Sequence, residues 1–364
     1  MCARRRKAIE KELAVKDEPS EDDTDLEFGS EDFWDQLPPV TNYLSTGSTL
    51  LDLALANRLP GGFPGGRIAQ IYGDESTAKT VIGSEALGSA QRQNGWACID
   101  DVERTWDFGR AELYGVDTKN KKQWDYKASR TIEKLFDDSI ASAIDAANDA
   151  EGPGALVVDT LSALPSEAEE EAKMTDGTYG TSRAKQVGLG FRKYLQDIGD
   201  CGLAVIFIDQ TRERVGVTFG EKSTTSGGKA LRFYASTRIK LSHDSRIKNK
   251  YEKIVGVKIG FFVRKNKVAP PFRDGTIRIL FDYGIDDIAS SLEWLHENDP
   301  DLLKEHKTKR GRPWVFKDLK GRGLDDLTHK VEKEGLETEL QKDVERVWRV
   351  VHQPIVRKKR VRLN

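Results

Sequence analysis

Ile68-Ala69-Gln70-Ile71-Tyr72-Gly73-Asp74-Glu75-Ser76-Thr77-Ala78-Lys79-Thr80 is the stretch on which the reading of this chain turns. Its first five residues form a mostly apolar run of strand length, and Lys79 opens a helix-compatible segment reaching Gln93. Between them, Gly73–Thr80 matches the phosphate-loop pattern G-x-x-x-x-G-K-[ST] except at its second glycine, where Ala78 stands. The pattern has a direct chemistry. Backbone N–H groups and the helix N-terminus cradle phosphates, the lysine neutralises their outer oxygens, and the hydroxyl that follows ligates magnesium. Gly73, Asp74, Glu75, Ser76, Thr77, Ala78, Lys79 and Thr80 are therefore the expected nucleotide loop. A strand-to-helix turn that merely carries a lysine is the competing reading, and the strand context disfavours it. If the loop needs a positive φ at Ala78, its Cβ costs about 1–2 kcal/mol, so binding is expected to survive and rapid hydrolysis to suffer.

Outward from this loop, short apolar runs alternate with helix-like segments, the signature of a parallel α/β sheet. Trp96–Ile99 runs into Asp100-Asp101, and Ala155–Val158 into Asp159. Ala204–Ile208 ends likewise in Asp209. Segment 133–149 places Leu135, Phe136, Ile140 and Ile144 on one helical face. In open α/β sheets the C-terminal strand ends line the ligand crevice, so Asp101, Asp159 and Asp209 are expected to converge there, with Asp159 suited to magnesium. From about Ala235 the pattern turns strand-rich (Thr237–Leu241, Ile254–Val263, Thr276–Phe281), as antiparallel strands extending the sheet. Beyond Ser291, Trp314-Val315-Phe316 and helix-like stretches at 324–334 and 336–351 suggest a small α+β domain. The expected division is residues 1–42 as an N-terminal arm and acidic linker, 43–290 as the core, and 291–364 as a C-terminal domain with a basic tail.

Composition narrows the classes. The 364 residues are 37% hydrophobic and 32% charged, and no run approaches the ~20 apolar residues of a membrane helix. The basic start, Met1–Lys7, lacks the apolar segment of a secretory signal, so a reducing cytoplasm is the expected setting. Three scattered cysteines suit neither a disulfide framework nor zinc. All five histidines follow the candidate active-site strands, the last ending at Asp209, and lack metal spacing, which argues against Ser-His hydrolysis. The net charge of −2 hides an asymmetry: Asp17–Asp35 holds ten acidic residues and no basic ones, whereas Arg357-Lys358-Lys359-Arg360-Val361-Arg362 is a basic tail.

Over roughly residues 43–290 the sequence resembles the RecA family of homologous recombinases. The resemblance begins at Ser45-Thr46-Gly47-Ser48, Leu51–Leu55 and Gly65-Gly66-Arg67-Ile68. It continues through Asp101–Asp107 and Val157–Leu164 to Phe207–Arg212, Gly216–Gly220 and Thr224–Ser236, and ends in Arg264–Phe272. It implies a P-loop NTPase core with a mostly parallel central sheet flanked by helices, using ATP and Mg²⁺. By the matched motifs Glu103 is the general base, Asp107 and Arg110 contact adenine, Thr80 and Asp159 hold the metal, and Gln210 senses the γ-phosphate. A first DNA loop would use Tyr179, Arg183, Lys185 and Arg192. A second would use Arg212, Arg214, Phe219, Lys222, Gly227, Gly228 and Lys229, a Gly- and Thr-rich segment whose amides and cations suit phosphates. Lys265 and Lys267 would reach the ATP of a neighbouring protomer.

The implied activity is DNA-dependent ATP hydrolysis by a helical filament of this chain on single-stranded DNA, which pairs that strand with double-stranded DNA. The chain departs from the family pattern at Asp209, where the family has Asn, and at Tyr179, where members often carry Met. It also ends basic, and Ala78, Arg104 and Trp106 lean towards a phage-encoded version. Two rivals follow: a RecA-like accessory protein that binds nucleotide and DNA but hydrolyses weakly, and a hexameric helicase of the same superfamily.

Overall fold

The computed structural model of the chain describes residues 40–172, 180–213, 223–225, 228–305 and 311–352. The N-terminal arm, the basic tail, Tyr179, Arg214, Phe219, Lys222 and Gly227 lie outside these residues, as do the side chains of Arg212 and Lys229. In chain order, β1 (Tyr43–Leu44), α1 (Thr49–Ala56) and β2 (Phe63–Pro64) lead into β3 (Ile68–Gly73), α2 (Lys79–Arg92) and β4 (Ala97–Asp101). There follow α3 (Phe108–Ala111), β5 (Trp124–Lys127), α4 (Ala141–Asp149), β6 (Ala155–Asp159) and α5 (Glu167–Glu171). Next come α6 (Gly180–Asp200), β7 (Ala204–Glu213), β8 (Ser223–Thr225) and α7 (Gly228–Tyr234). The chain then turns to β9 (Thr237–Lys248), β10 (Ile254–Asn266), β11 (Asp274–Leu280) and β12 (Gly284–Ile285). It closes with α8 (Asp287–Asn298), α9 (Pro300–Glu305), β13 (Trp314–Phe316), β14 (Leu319–Gly321), α10 (Leu324–Glu334) and α11 (Glu337–Val351).

The main sheet has the order β12-β11-β10-β9-β3-β7-β6-β4-β5. From β9 to β5 every pairing is parallel, whereas β9 to β12 pair antiparallel. The parallel strands are buried on both faces, which is why they read as continuous apolar runs rather than as alternation. Their side chains nevertheless sort by period two: along β6, Val157 joins one hydrophobic cluster and Leu156 and Val158 the other. Helix α2 lies so close to the sheet that a Cβ at Gly83 would meet Val157 Cγ1 at 3.2 Å and Ile208 Cδ1 at 3.3 Å. Leu135, Phe136, Ile140 and Ile144 are buried as their spacing predicts, although Leu135–Ile140 winds as a π-helix ahead of α4.

The ends of three strands differ from those read in the sequence. Strands β9 and β10 run past the apolar stretches and pair with each other as an exposed arm, where backbone hydrogen bonds need no buried face. Strand β7 does not end at Asp209. It gains partners on β3 as far as Gln210 and on β8 as far as Glu213, so it carries through. Residue 290 falls inside α8, whose Leu292 and Leu295 share a cluster with Leu53 and Leu55 of α1 and with Val344, Val347 and Trp348 of α11. Among the described residues, no helix is long and apolar enough to cross a membrane. Cys98 is buried and Cys201 half-buried, both as free thiols.

Candidate functional site

The parallel register brings the ends of β3, β4 and β6 to one crevice, with Asp101 opposite Asp159 and Gly73 opposite Gln210. Position 73 admits only glycine, because a Cβ there would stand 2.4 Å from the Leu241 carbonyl oxygen. Ser76 and Ala78 adopt φ of 56° and 60°, the left-handed region. Ala78 is the N-cap of α2 and offers no side-chain acceptor to the helix's first amides. Those donors and the positive end of the helix dipole are what a phosphate requires. The Lys79 ammonium sits inside the loop, donating to the carbonyls of Gly73 (3.1 Å) and Asp74 (2.7 Å). Burial lowers its pKa, against the pull of Asp159, Asp74, Glu103 and Glu75.

Thr80 Oγ1 donates to Asp159 Oδ2 at 2.8 Å. Burial pushes the Asp159 carboxyl up to about 6; the Thr80 bond and Lys79 oppose the rise, while the negative charges of Glu103 and Asp101 add to it. A hydroxyl and a carboxylate side by side, in a field of further carboxylates, are the oxygen donors a hard divalent cation takes. The residues therefore fit a magnesium nucleotide: Gly73–Lys79 for the phosphates, Thr80 and Asp159 for the metal. Glu103 is exposed beside them, its loop tied to the same aspartate by Val102 N–H (2.9 Å) and Glu103 N–H (3.3 Å) donated to the Asp159 carbonyl.

The other expected contacts are placed as follows. Asp107 caps α3 by accepting from Gly109 and Arg110 N–H, and pairs with the Arg110 guanidinium at 3.5 Å; both side chains are exposed. Thr211 Oγ1, one residue past Gln210, is hydrogen-bonded to Asp74 of the phosphate loop. Arg183 is half-buried, donating to the carbonyls of Leu161 (3.1 Å) and Ser162 (2.7 Å), and so holds the turn after β6. Lys185 and Arg192 are exposed on α6, Arg192 bonding to Tyr234. Gly228 opens α7. Lys265 turns inward, its Nζ donating to the carbonyls of Arg232 (3.0 Å) and Phe233 (2.8 Å) at the end of α7, whereas Lys267 is exposed. Burial, then Lys267 and Arg238, lowers the Lys265 ammonium to about 8.

Asp209 does not join the crevice. It is fully buried inside β7, accepting from Gln70 Nε2 (2.6 Å) and Thr160 Oγ1 (3.2 Å), with Gln70 Oε1 accepting in turn from Arg238 Nε (2.7 Å). Sequence reasoning missed Gln70, Thr160 and Arg238, polar residues inside apolar or motif segments. A glutamine within a buried strand was the available signal, since buried polar groups find partners.

A parallel sheet whose first core strand delivers such a loop to its own helix places the chain among the P-loop nucleotide-binding α/β proteins. Residues 35–286 match the model of the RecA N-terminal domain, and the chain belongs to that family. It is 37% identical over 256 residues to the RecA protein of Prochlorococcus marinus (strain MIT 9211), covering 70% of this chain and 66% of that protein. Identity to the RecA protein of Synechococcus sp. (strain WH7803) is 37% over 254 residues, 70% of this chain and 63% of that protein. For Crocosphaera subtropica (strain ATCC 51142 / BH68) it is 34% over 261 residues, 72% and 71%. The matched segment thus spans slightly under two thirds of the first two relatives.

Proposed function

We propose that the chain is a DNA-dependent ATPase that assembles on single-stranded DNA and pairs it with a matching duplex. The observation that carries the reading is the junction of β7 with the phosphate loop, where Gly73 lies opposite Gln210 and Thr211 is bonded to Asp74. A γ-phosphate held on Lys79 is thereby in direct reach of the strand that leads into residues 212–229, the segment with the DNA-binding composition.

In this reading Lys79 and the first amides of α2 hold the phosphates. Magnesium on Thr80 and Asp159 supplies charge neutralisation and orientation when bound. Glu103 takes the proton from the water whose oxygen bonds to the γ-phosphorus, as the bond to the bridging oxygen breaks and ADP leaves with the electron pair. Lys267, and Lys265 once released from α7, serve the nucleotide of the adjacent protomer, where a cation stabilises charge developing on the transferred group. The protein grips the DNA backbone and leaves sequence to base pairing.

The test is single-stranded DNA association, phosphate release and strand exchange with ATP and magnesium, Lys79→Ala beside the unaltered chain. The substitution is expected to abolish all three, a loss of at least about 100-fold in turnover. Nucleotide-independent DNA association by the unaltered chain would sink the proposal. One observation favours a second reading, that of an accessory protein with weak hydrolysis: a Cβ at φ 60° in the loop at Ala78. DNA binding that responds to nucleotide without stimulated turnover would select it.

A further inference from the structure

Asp101, the last residue of β4, has no part in the chemistry above, yet its carboxylate is fully engaged although the residue is 2% exposed. Oδ1 accepts from Thr105 N–H at 3.0 Å. Oδ2 accepts from Trp106 N–H at 2.9 Å and from the Tyr126 hydroxyl at 3.0 Å. The Asp101 carbonyl accepts from Arg104 N–H at 3.2 Å. These amides belong to residues 102–106, the loop that carries Glu103.

The same loop is held at two further points. Its first amides donate to the Asp159 carbonyl, and the Trp106 ring stacks on Trp124 of β5 at 6.1 Å. Arg104 has φ 55°, a conformation that costs a non-glycine residue energy and persists only when its surroundings impose it. Asp101 accepts from two of the loop's amides at its far end, so both carboxylate oxygens hold it.

We propose that Asp101 is a positioning residue for Glu103. Its carboxylate, backed by the Tyr126 hydroxyl, holds residues 102–106 in the turn that sets Glu103 beside Asp159. This rests on Glu103 being the base of the proposed hydrolysis. A role for Asp101 as a metal ligand is the rival, and its oxygens are already committed to three donors. Asp101→Asn keeps the size but turns an N–H towards a donor whichever way the amide lies, so one anchor of the loop opens.

The experiment is single-turnover ATP hydrolysis by the full chain on single-stranded DNA, for the unaltered protein, Asp101→Asn, Glu103→Gln and the double variant. Glu103→Gln is expected to slow the chemical step about 10³-fold. Asp101→Asn is expected to slow it about 10–100-fold, with the KM for ATP and the magnesium requirement within about threefold. The double variant should be no slower than Glu103→Gln alone, because displacing a base already disabled costs nothing more. Tyr126→Phe, which removes one bond of three without disturbing the fold, should slow turnover about two- to fivefold. The proposal is overturned if the Asp101→Asn and Glu103→Gln factors multiply, if the magnesium requirement rises, or if Asp101→Asn turns over normally while Glu103→Gln does not. Normal turnover by Glu103→Gln fails differently: it removes the base assignment beneath the proposal.

Discussion

The two halves of the main sheet prepare the candidate site in opposite ways. The parallel half, β3 to β5, delivers Lys79, Thr80, Asp159 and Glu103 to one crevice, and each is already tied to a neighbour in its own protomer or carried on a loop that is. The antiparallel half carries cations to its edge with no such convergence. Lys267 is exposed, while Lys265 is folded back onto α7, where burial lowers its pKa. One half brings together residues that fit a magnesium nucleotide; the other leaves Lys267 exposed just past the end of β10. Under the proposed function, the difference puts nucleotide binding within one copy and turnover at a junction between copies.

The strongest way to break this contrast is to mix variants. Lys79→Ala and Lys267→Ala should each lower DNA-stimulated hydrolysis about 10²–10³-fold when assayed alone. If the two halves meet between copies, an equimolar mixture regains about a quarter of normal turnover, the share of random junctions in which an intact cradle faces an intact lysine. Phosphate release that stays at the level of the separate variants would place both halves within one protomer.

The seam between the halves can be sharpened next. Gln70 of β3 and Asp209 of β7, both buried, form a polar line there with the half-buried Arg238 of β9, and burial raises the Asp209 carboxyl to about 6 against the Gln70 and Thr160 hydrogen bonds and the charge of Arg238. The sign follows from the raised value. The stabilisation by a bound proton is complete below the unfolded pKa of about 3.9 and disappears as pH rises through about 6. Thr160 also has one hydroxyl hydrogen for the Ile208 carbonyl and Asp209 to share, whereas an amide at 209 brings its own. Asp209→Asn is therefore expected to raise stability at pH 7.5 by about 1–3 kcal/mol and to flatten its decline between pH 4 and 6. Denaturant titrations across that range check it, and an unchanged slope would count against a buried, titrating Asp209.

The smallest effect concerns the cradle itself. Ala78→Gly removes a Cβ at φ 60° and should stabilise the fold by about 0.5–1 kcal/mol, net of the freedom glycine adds to the unfolded chain. The denaturant midpoint should rise with an unchanged slope. A fall would show that the loop bears the alanine without strain, and would weaken the case for slow hydrolysis.

Much of this was legible in local sequence. Strand, loop and helix around Lys79 are contiguous, and so are the runs ending in Asp101 and Asp159. What stayed illegible lies where similar local patterns have different partners. Ala204–Asp209 looks like Ala155–Asp159, yet β7 pairs beyond its carboxylate and buries it. Lys265 and Lys267 sit in one motif two residues apart, yet one is folded inward and the other is exposed. Asp101 passed as a strand-end acid because the amides it holds come four and five residues later, in a loop without regular pattern.

By itself, the sequence determined which segments become strands, which loop carries the phosphate-binding pattern and which family the chain resembles, because apolar period and glycine placement act over a few residues. Only the tertiary structure decided which carboxylates share the crevice, which is entombed and where the lysines point. Those outcomes depend on hydrogen bonds such as Thr80 to Asp159 and Gln70 to Asp209, spanning 79 and 139 residues of chain, and no local pattern encodes the register that closes them.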